Sequence, residues 1–138
     1  MSAPPIEPAV LLLVEDDPTN RALVRAVLSR APQVRLRDAL ITEAATLAGA
    51  RAALASIRPD VVLLDVRLPD GNGLDLARDL ALQGRLPTPR VVVMSASVLP
   101  AERAAAMAAG GDVFMAKPFR PAELIELLAT WIIGPEQR

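Results

Sequence analysis

The sequence of 138 residues contains no cysteine and no histidine. Without cysteine, the chain has no disulfide framework, no thiolate nucleophile and no thiolate metal site. Without histidine, the usual zinc ligands and a Ser-His-Asp triad are excluded, and the chain itself cannot carry a phosphohistidine. The remaining reactive groups are carboxylates, hydroxyls, lysine, arginine and the backbone, an inventory that suits oxygen-liganded cations such as Mg²⁺.

A strong net charge and a long apolar run are also missing. The formal net charge is −1, which gives no overall attraction to nucleic acid or to an anionic membrane. Residues 1–8 lack the features of a signal peptide, and no apolar run approaches the span of a bilayer. We therefore expect a cytoplasmic protein with no nucleic-acid or membrane partner. A hydrophobic content of 52% with 22% charged residues indicates one globular domain.

Short apolar runs rich in Val and Leu alternate with segments of helical spacing. Such runs, without alternating polar residues, are typical of strands buried on both faces of a parallel sheet. The strands predicted from such runs are Val10–Val14, Val61–Leu64 leading into Asp65, Arg90–Met94 leading into Ser95, and Val113–Ala116. A fifth strand is placed near Leu40–Ala44, within the more polar stretch Val34–Ala45, where the pattern is weak. The alternation predicts an α/β fold, a five-stranded parallel sheet doubly wound with five helices. We place a flexible lead at 1–8, the domain at 9–133 and a tail at 134–138.

Local signals mark several of the connections. Asp17 and Pro18 predict the N-cap and first position of a helix. The inner face of that helix is predicted to contain Leu23, Val27 and Leu28. Apolar spacing predicts a second helix over Leu47–Ile57. The stretch 70–73, Asp-Gly-Asn-Gly, predicts a turn rather than a ligand loop.

Polar residues stand directly after the predicted strands: Glu15, Asp16, Asp65, Ser95 and Lys117. The carboxyl ends of parallel strands share one edge, and ligands bind in the crevice outside it. Three carboxylates in one crevice repel each other unless a cation lies between them, and Mg²⁺ prefers such oxygens. Lys117 adds a mobile positive charge and Ser95 adds a hydroxyl. The residues therefore predict a site that stabilises charge on a phosphoryl group during transfer.

Two of these residues are candidate nucleophiles, Asp65 and Ser95. A serine hydroxyl lacks its usual activation here because no histidine is present to act as a base. A carboxylate is already ionised and can form an acyl phosphate directly. This reasoning favours Asp65.

The polar residues belong to four longer segments, Val14–Asp17, Leu63–Gly71, Met94–Ala96 and Ala116–Phe119. Together, in order and spacing, these segments resemble the receiver domain of two-component response regulators, which has a flavodoxin-like fold. The resemblance extends from about Val10 to Ile132. It implies that Asp65 accepts a phosphoryl group from a phosphohistidine of a sensor histidine kinase or histidine phosphotransfer protein.

The resemblance also implies a role for each residue of the site. Mg²⁺ would be held by Asp16, Asp65 and the backbone carbonyl of Arg67, with Glu15 acting through a water molecule. Lys117 and Ser95 would hold phosphoryl oxygens, completing a Mg²⁺-dependent catalytic centre.

Signalling residues follow from the same resemblance. Ser95 and Phe114 would form the switch, although threonine and tyrosine are commoner at these two positions. The Lys117–Pro118 bond resembles the cis peptide of the family. The whole would act as a single-domain regulator that signals by conformational change or phosphorelay to a downstream protein. We expect a monomer, or a weak dimer formed through the last helices.

Other interpretations remain open at this stage. An aspartate-nucleophile phosphohydrolase would use the same chemistry, but such enzymes place a second Asp two residues after the nucleophile, where this chain has Arg67. A docking module that is not phosphorylated is a further alternative. Dinucleotide binding is disfavoured because the turn after the first strand is acidic rather than glycine-rich. We therefore predict a phosphoacceptor and not an enzyme.

Overall fold

The computed structural model describes residues 7–84, 88–97 and 99–132. Of the predicted flexible lead, only Glu7 and Pro8 lie within the described residues. The predicted tail at 134–138 lies outside them entirely. Among the described residues, no helix has the length and apolar character needed to cross a membrane.

Five parallel strands form the central sheet. They are β1 (Val10–Val14), β2 (Leu40–Ala44), β3 (Val61–Asp65), β6 (Arg90–Ser95) and β7 (Val113–Ala116). Their order across the sheet is β2-β1-β3-β6-β7, and every neighbouring pair is parallel. Two very short strands, β4 (Arg67–Leu68) and β5 (Gly71–Asn72), form a separate antiparallel hairpin. The predicted five-stranded doubly wound sheet is confirmed.

Helices cover both faces of the sheet. They are α1 (Pro18–Ser29), α2 (Val34–Arg37), α3 (Leu47–Leu54), α4 (Leu74–Gln83), α5 (Pro100–Ala108) and α6 (Pro121–Ile132). Helices α3, α4 and α5 pack on one face, and α1, α2 and α6 pack on the other. Side chains alternate along each strand, so that Leu12 and Val14 point to the first layer, while Leu11 and Leu13 point to the second. Burial on both faces explains why β1, β3 and β6 are continuous apolar runs, whereas the edge strand β2 is more exposed and contains Thr42 and Glu43.

The described residues contain six helices, and the prediction of five is therefore wrong by one. The additional helix, α2, is a single turn that buries only Leu36. One turn is too short to show a helical period in the sequence, which explains why α2 was not predicted. The helix predicted over Leu47–Ile57 ends at Leu54, and Ile57 still packs against the core after a turn.

Helix α1 begins as predicted, with the Asp17 carboxylate accepting a hydrogen bond from the Thr19 backbone N–H at 2.8 Å. Its inner face differs by one residue from the prediction. Val24, with the predicted Val27 and Leu28, is buried, whereas Leu23 is 41% exposed. Val24, Val27 and Leu28 have the full i, i+3, i+4 spacing of a helical face, whereas Leu23 has it only with Val27.

Candidate functional site at the carboxyl edge of the sheet

Four neighbouring strands bring the predicted site residues to one edge. Glu15 follows β1, Asp65 ends β3, Ser95 ends β6 and Lys117 follows β7. The register pairs Asp65 with Met94 and Ser95 with Ala116, so the strand ends lie side by side. A cleft of about 340 Å³ opens there and is lined by Asp65, Arg67, Ser95, Ala96, Ser97 and Lys117. The structure therefore brings together residues that are up to 102 positions apart in the sequence.

Three carboxylates of the site converge. Glu15, Asp16 and Asp65 each present one carboxylate oxygen, and these three oxygens lie within 4.8 Å of one another. Glu15 and Asp65 are buried, whereas Asp16 is exposed. This donor set contains only oxygen and has one solvent-facing member, which fits a hard cation that keeps part of its water shell. The acidic cluster is thus compatible with Mg²⁺.

Lys117 lies between two of these acids. Its Nζ is 2.6 Å from Glu15 Oε1 and 3.1 Å from Asp65 Oδ2. Burial alone would lower the pKa of Lys117, but its hydrogen bond to Glu15 and the charges of Asp65 and Glu15 outweigh burial and raise it. The ammonium group therefore stays charged at neutral pH. The Lys117–Pro118 peptide bond that follows is cis.

Glu15 makes more contacts than the sequence indicated. Its Oε1 also accepts a hydrogen bond from Asn20 Nδ2 at 3.2 Å, and its Oε2 accepts one from the Asp17 backbone N–H at 3.1 Å. Arg21 Nη1 donates to the Glu15 backbone carbonyl at 2.8 Å. Asn20 and Arg21 were missed because they lie in the first turn of α1, where polar side chains normally face solvent. Both oxygens of Glu15 are therefore occupied by donors from the protein.

Ser95 is buried at the end of β6, and its Oγ accepts a hydrogen bond from the Ser97 backbone N–H at 3.1 Å. Phe114 pairs in register with Val93, two residues before Ser95. Because side chains two residues apart on a strand share a face, Ser95 and Phe114 lie on the side of the sheet that α5 covers. Phe114 is half-buried, and the guanidinium of Arg103 lies 5.0 Å from the centre of its ring. Sequence reasoning missed Arg103.

The segment after Asp65 packs closely on the strand end. The Gly73 backbone N–H donates to the Val66 carbonyl at 2.7 Å. A Cβ at Gly73 would lie 2.0 Å from the backbone oxygen of Asp65, so this position accommodates only glycine without movement of the backbone. The predicted turn at residues 70–73 is found as the connection and second strand of the β4–β5 hairpin. This hairpin begins at Arg67, whose side chain is exposed.

Comparison with known proteins agrees with this geometry. The family model of the response regulator receiver domain matches residues 11–129. The KDP operon transcriptional regulatory protein KdpE of Escherichia coli is 35% identical over 115 residues, which cover 83% of this chain and 47% of KdpE. The chain spans about half the length of the curated relatives it matches.

Solved structures with the same fold include two informative neighbours. The receiver domain of sensor histidine kinase PA1611 from Pseudomonas aeruginosa, solved with a magnesium ion coordinated in its active site cleft, is 30% identical with a TM-score of 0.77. It covers 91% of this chain, which in turn covers 98% of it. Chemotaxis protein CheY4 of Vibrio cholerae has a TM-score of 0.78 at 23% identity, over 91% of this chain and 99% of that one, and supports the fold alone.

Proposed function

The chain belongs to the response regulator receiver family, and on that premise we propose that Asp65 accepts a phosphoryl group from a phosphohistidine of a histidine kinase or a histidine phosphotransfer protein. An Asp65 carboxylate oxygen attacks phosphorus as the phosphorus–nitrogen bond of the donor breaks, and the imidazole leaves with the electron pair. One observation carries the proposal. The Asp65 carboxylate lies at the cleft with a charged lysine nitrogen 3.1 Å away and two further acids beside it.

The roles of Lys117 and Ser95 follow from their positions. Lys117 Nζ already contacts Asp65 Oδ2, and we expect it to contact a phosphoryl oxygen once Asp65 is phosphorylated. Ser95 Oγ accepts from the Ser97 backbone N–H, an arrangement that orients the hydroxyl at the lining of the cleft. Its O–H is expected to donate to a second phosphoryl oxygen. Both groups would act on charge that develops during transfer.

The proposal includes Mg²⁺ held by Asp16, Asp65 and the backbone carbonyl of Arg67. The convergence of the three acidic oxygens supports this assignment. Glu15 is assigned an indirect role through water, because its two oxygens already accept hydrogen bonds from Lys117, Asn20 and the Asp17 backbone. When bound, the cation supplies neutralisation of charge on the transferring group.

Signalling is proposed to proceed through Ser95 and Phe114. A shift of Ser95 toward the phosphoryl group would leave space on the side of the sheet that Phe114 shares. Phe114 is half-buried, so an inward movement would bury more of its ring and an outward movement would expose more of it. The change would reach α5, which packs on the same face, and from there a downstream protein or a further phosphotransfer partner.

Phosphorylation by a small phosphodonor such as acetyl phosphate, with Mg²⁺ present, tests the proposal. We expect stoichiometric phosphate on the wild type and none on Asp65→Asn. Asp75→Asn is the matched control, because Asp75 is an exposed acid on α4 that forms an ion pair with the neighbouring Arg78. This variant should be phosphorylated like the wild type. Equal labelling of wild type and Asp65→Asn would contradict the proposal. Multiple turnover of a phosphate ester would favour the hydrolase, and absence of both labelling and Mg²⁺ binding would favour a docking module.

A further inference from the structure

The side chain of Asp70, in the turn of the β4–β5 hairpin, reaches across to the start of α3. Its Oδ1 accepts a hydrogen bond from the Leu47 backbone N–H at 2.8 Å, and its Oδ2 accepts one from the Ala48 backbone N–H at 3.0 Å. The hydrogen bonds from Ala48 and Leu47 hold the pKa of the Asp70 carboxyl below its usual range. The carboxylate is thus ionised at neutral pH and occupied by two donors 22 and 23 residues away.

The turn also packs directly against α3. Gly71 has φ of 150°, and a Cβ at this position would lie 2.9 Å from Leu47 Cδ1. The carboxylate of Asp70 and the backbone of Gly71 therefore meet the first turn of α3 side by side. Helix α3 has its own cap at that end, because Thr46 Oγ1 accepts a hydrogen bond from the Gly49 backbone N–H at 2.9 Å. The Asp70 contact consequently joins two elements, whereas the Thr46 contact is internal to one.

The opposite end of the hairpin leads into the site. Arg67 begins β4 two residues after Asp65, and Gly73, which follows β5, packs on the backbone oxygen of Asp65. The two strands contain only two residues each. Hairpins this small are not stable by themselves, so their position depends on what anchors them. Asp70 provides the anchor at the turn.

We infer that Asp70 is a positioning residue for the metal site, which fastens the β4–β5 hairpin to α3 and thereby holds the backbone carbonyl of Arg67 where a Mg²⁺ ligand is needed. The inference rests on the proposed function, in which that carbonyl is a ligand. Asp70 itself does not bind the cation, because both of its oxygens accept hydrogen bonds from α3. Ligands that are held by outer contacts bind a metal more tightly than ligands left free to move.

The test is titration of the full chain with MgCl₂ by isothermal titration calorimetry. We expect Asp70→Ala to weaken Mg²⁺ binding by about tenfold, the lower end of the roughly 10- to 100-fold typical for loss of an outer-shell partner. Thr46→Ala is the matched control, because it removes a cap from the same helix and leaves the hairpin contact intact. It should bind Mg²⁺ like the wild type even though both substitutions lower resistance to urea.

A second comparison separates position from charge, since Asp70→Ala also removes one negative charge from the protein. At about 1 M salt the Debye length is roughly 3 Å, so a distant charge contributes little. The ratio of dissociation constants should persist at that salt concentration if Asp70 acts through the hairpin. If Asp70→Ala fails to fold, Asp70→Asn, which keeps one acceptor oxygen, is measured instead and should also weaken binding.

The outcomes distinguish this inference from the function on which it rests. A wild type that does not bind Mg²⁺ contradicts the proposed function. Equal Mg²⁺ affinities of the wild type and of Asp70→Ala or Asp70→Asn overturn the positioning role alone. A loss of affinity that disappears at high salt, or that Thr46→Ala reproduces, overturns it as well.

Discussion

Replacing Lys117 with methionine is expected to lower the free energy of unfolding by about 3 kcal/mol, the lower end of the cost of removing one partner from a buried ion pair. Methionine has a similar length and carries no charge, so the substitution removes the ammonium group with little loss of volume. The side chain of Glu15 is 1% exposed and that of Asp65 is 10% exposed. Both carboxylates would therefore lose the Lys117 ammonium group in a poorly solvated environment.

The magnitude follows from the two distances. At an effective dielectric constant near 20, charges separated by 2.6 Å and 3.1 Å attract by about 6 and about 5 kcal/mol. Desolvation of the three groups offsets most of this attraction. Lys117 keeps 17% of its side chain exposed, so part of the effect is screened and the lower end of the expected range applies.

Urea unfolding at neutral pH, in the presence of a chelator, measures the effect. Glu15→Gln in the Lys117→Met background is the informative second change, because it removes one of the two uncompensated carboxylates and should restore part of the lost stability. The four proteins complete a double-mutant cycle that isolates the coupling between these side chains. Added Mg²⁺ should narrow the gap between wild type and Lys117→Met, because a cation at the acidic cluster replaces the missing charge.

A Lys117→Met protein as stable as the wild type in chelator would refute the reasoning, since desolvation would then cancel the attraction completely. A coupling near zero between Glu15 and Lys117 would refute it equally, because the 2.6 Å contact would contribute nothing.

Three further outcomes are expected. Lys117 is the only lysine in the sequence, so lysine-selective isotope labelling gives one side-chain NMR signal from which its pKa can be measured. The pKa of Lys117 should lie above the usual lysine value. The stability that Lys117 contributes should be fully present below the usual value and should disappear as the pH rises through the raised pKa. The pKa of Glu43 is lowered mainly by its hydrogen bond with Arg25. Glu43→Gln should therefore lower the free energy of unfolding by at most about 1 kcal/mol at neutral pH. Urea unfolding should show this difference disappearing as the pH falls through the lowered pKa. Gly73→Ala should destabilise by about 3 kcal/mol in the same assay, because its Cβ would lie 2.0 Å from the Asp65 backbone oxygen; an unchanged midpoint would contradict that contact.

Strands and strand ends could be predicted because burial on both faces leaves a direct mark on the sequence. The run Val61–Asp65 is buried throughout, and its polar last residue lies where a parallel sheet ends. The same reasoning predicted that Ser95 and Lys117 lie at the carboxyl edge of the sheet. Elements whose burial leaves no period were not predictable in this way. Helix α2 buries one residue in four. On α1, whether Leu23 or Val24 faces the core depends on rotating the helix about its axis by one residue.

Long-range contacts away from the sheet edge were the part that sequence patterns could not predict. Asp70 was read as a turn residue, and it is one, but the same side chain also caps a helix that begins 23 residues earlier. Turn propensity and long-range capping use the same short carboxylate, so the sequence does not separate them. Arg103 over Phe114 is similar, because the two residues belong to different elements that only packing brings together.

The central claim is that Asp65 receives the phosphoryl group, and reductive trapping tests it most directly. Borohydride reduces an aspartyl phosphate to homoserine, and peptide mass spectrometry then identifies the position that was modified. After treatment with a phosphodonor and Mg²⁺, homoserine is predicted at position 65, with Asp16 and the other acids unchanged. Homoserine at another position, or none in a protein that has incorporated phosphate, would contradict the account.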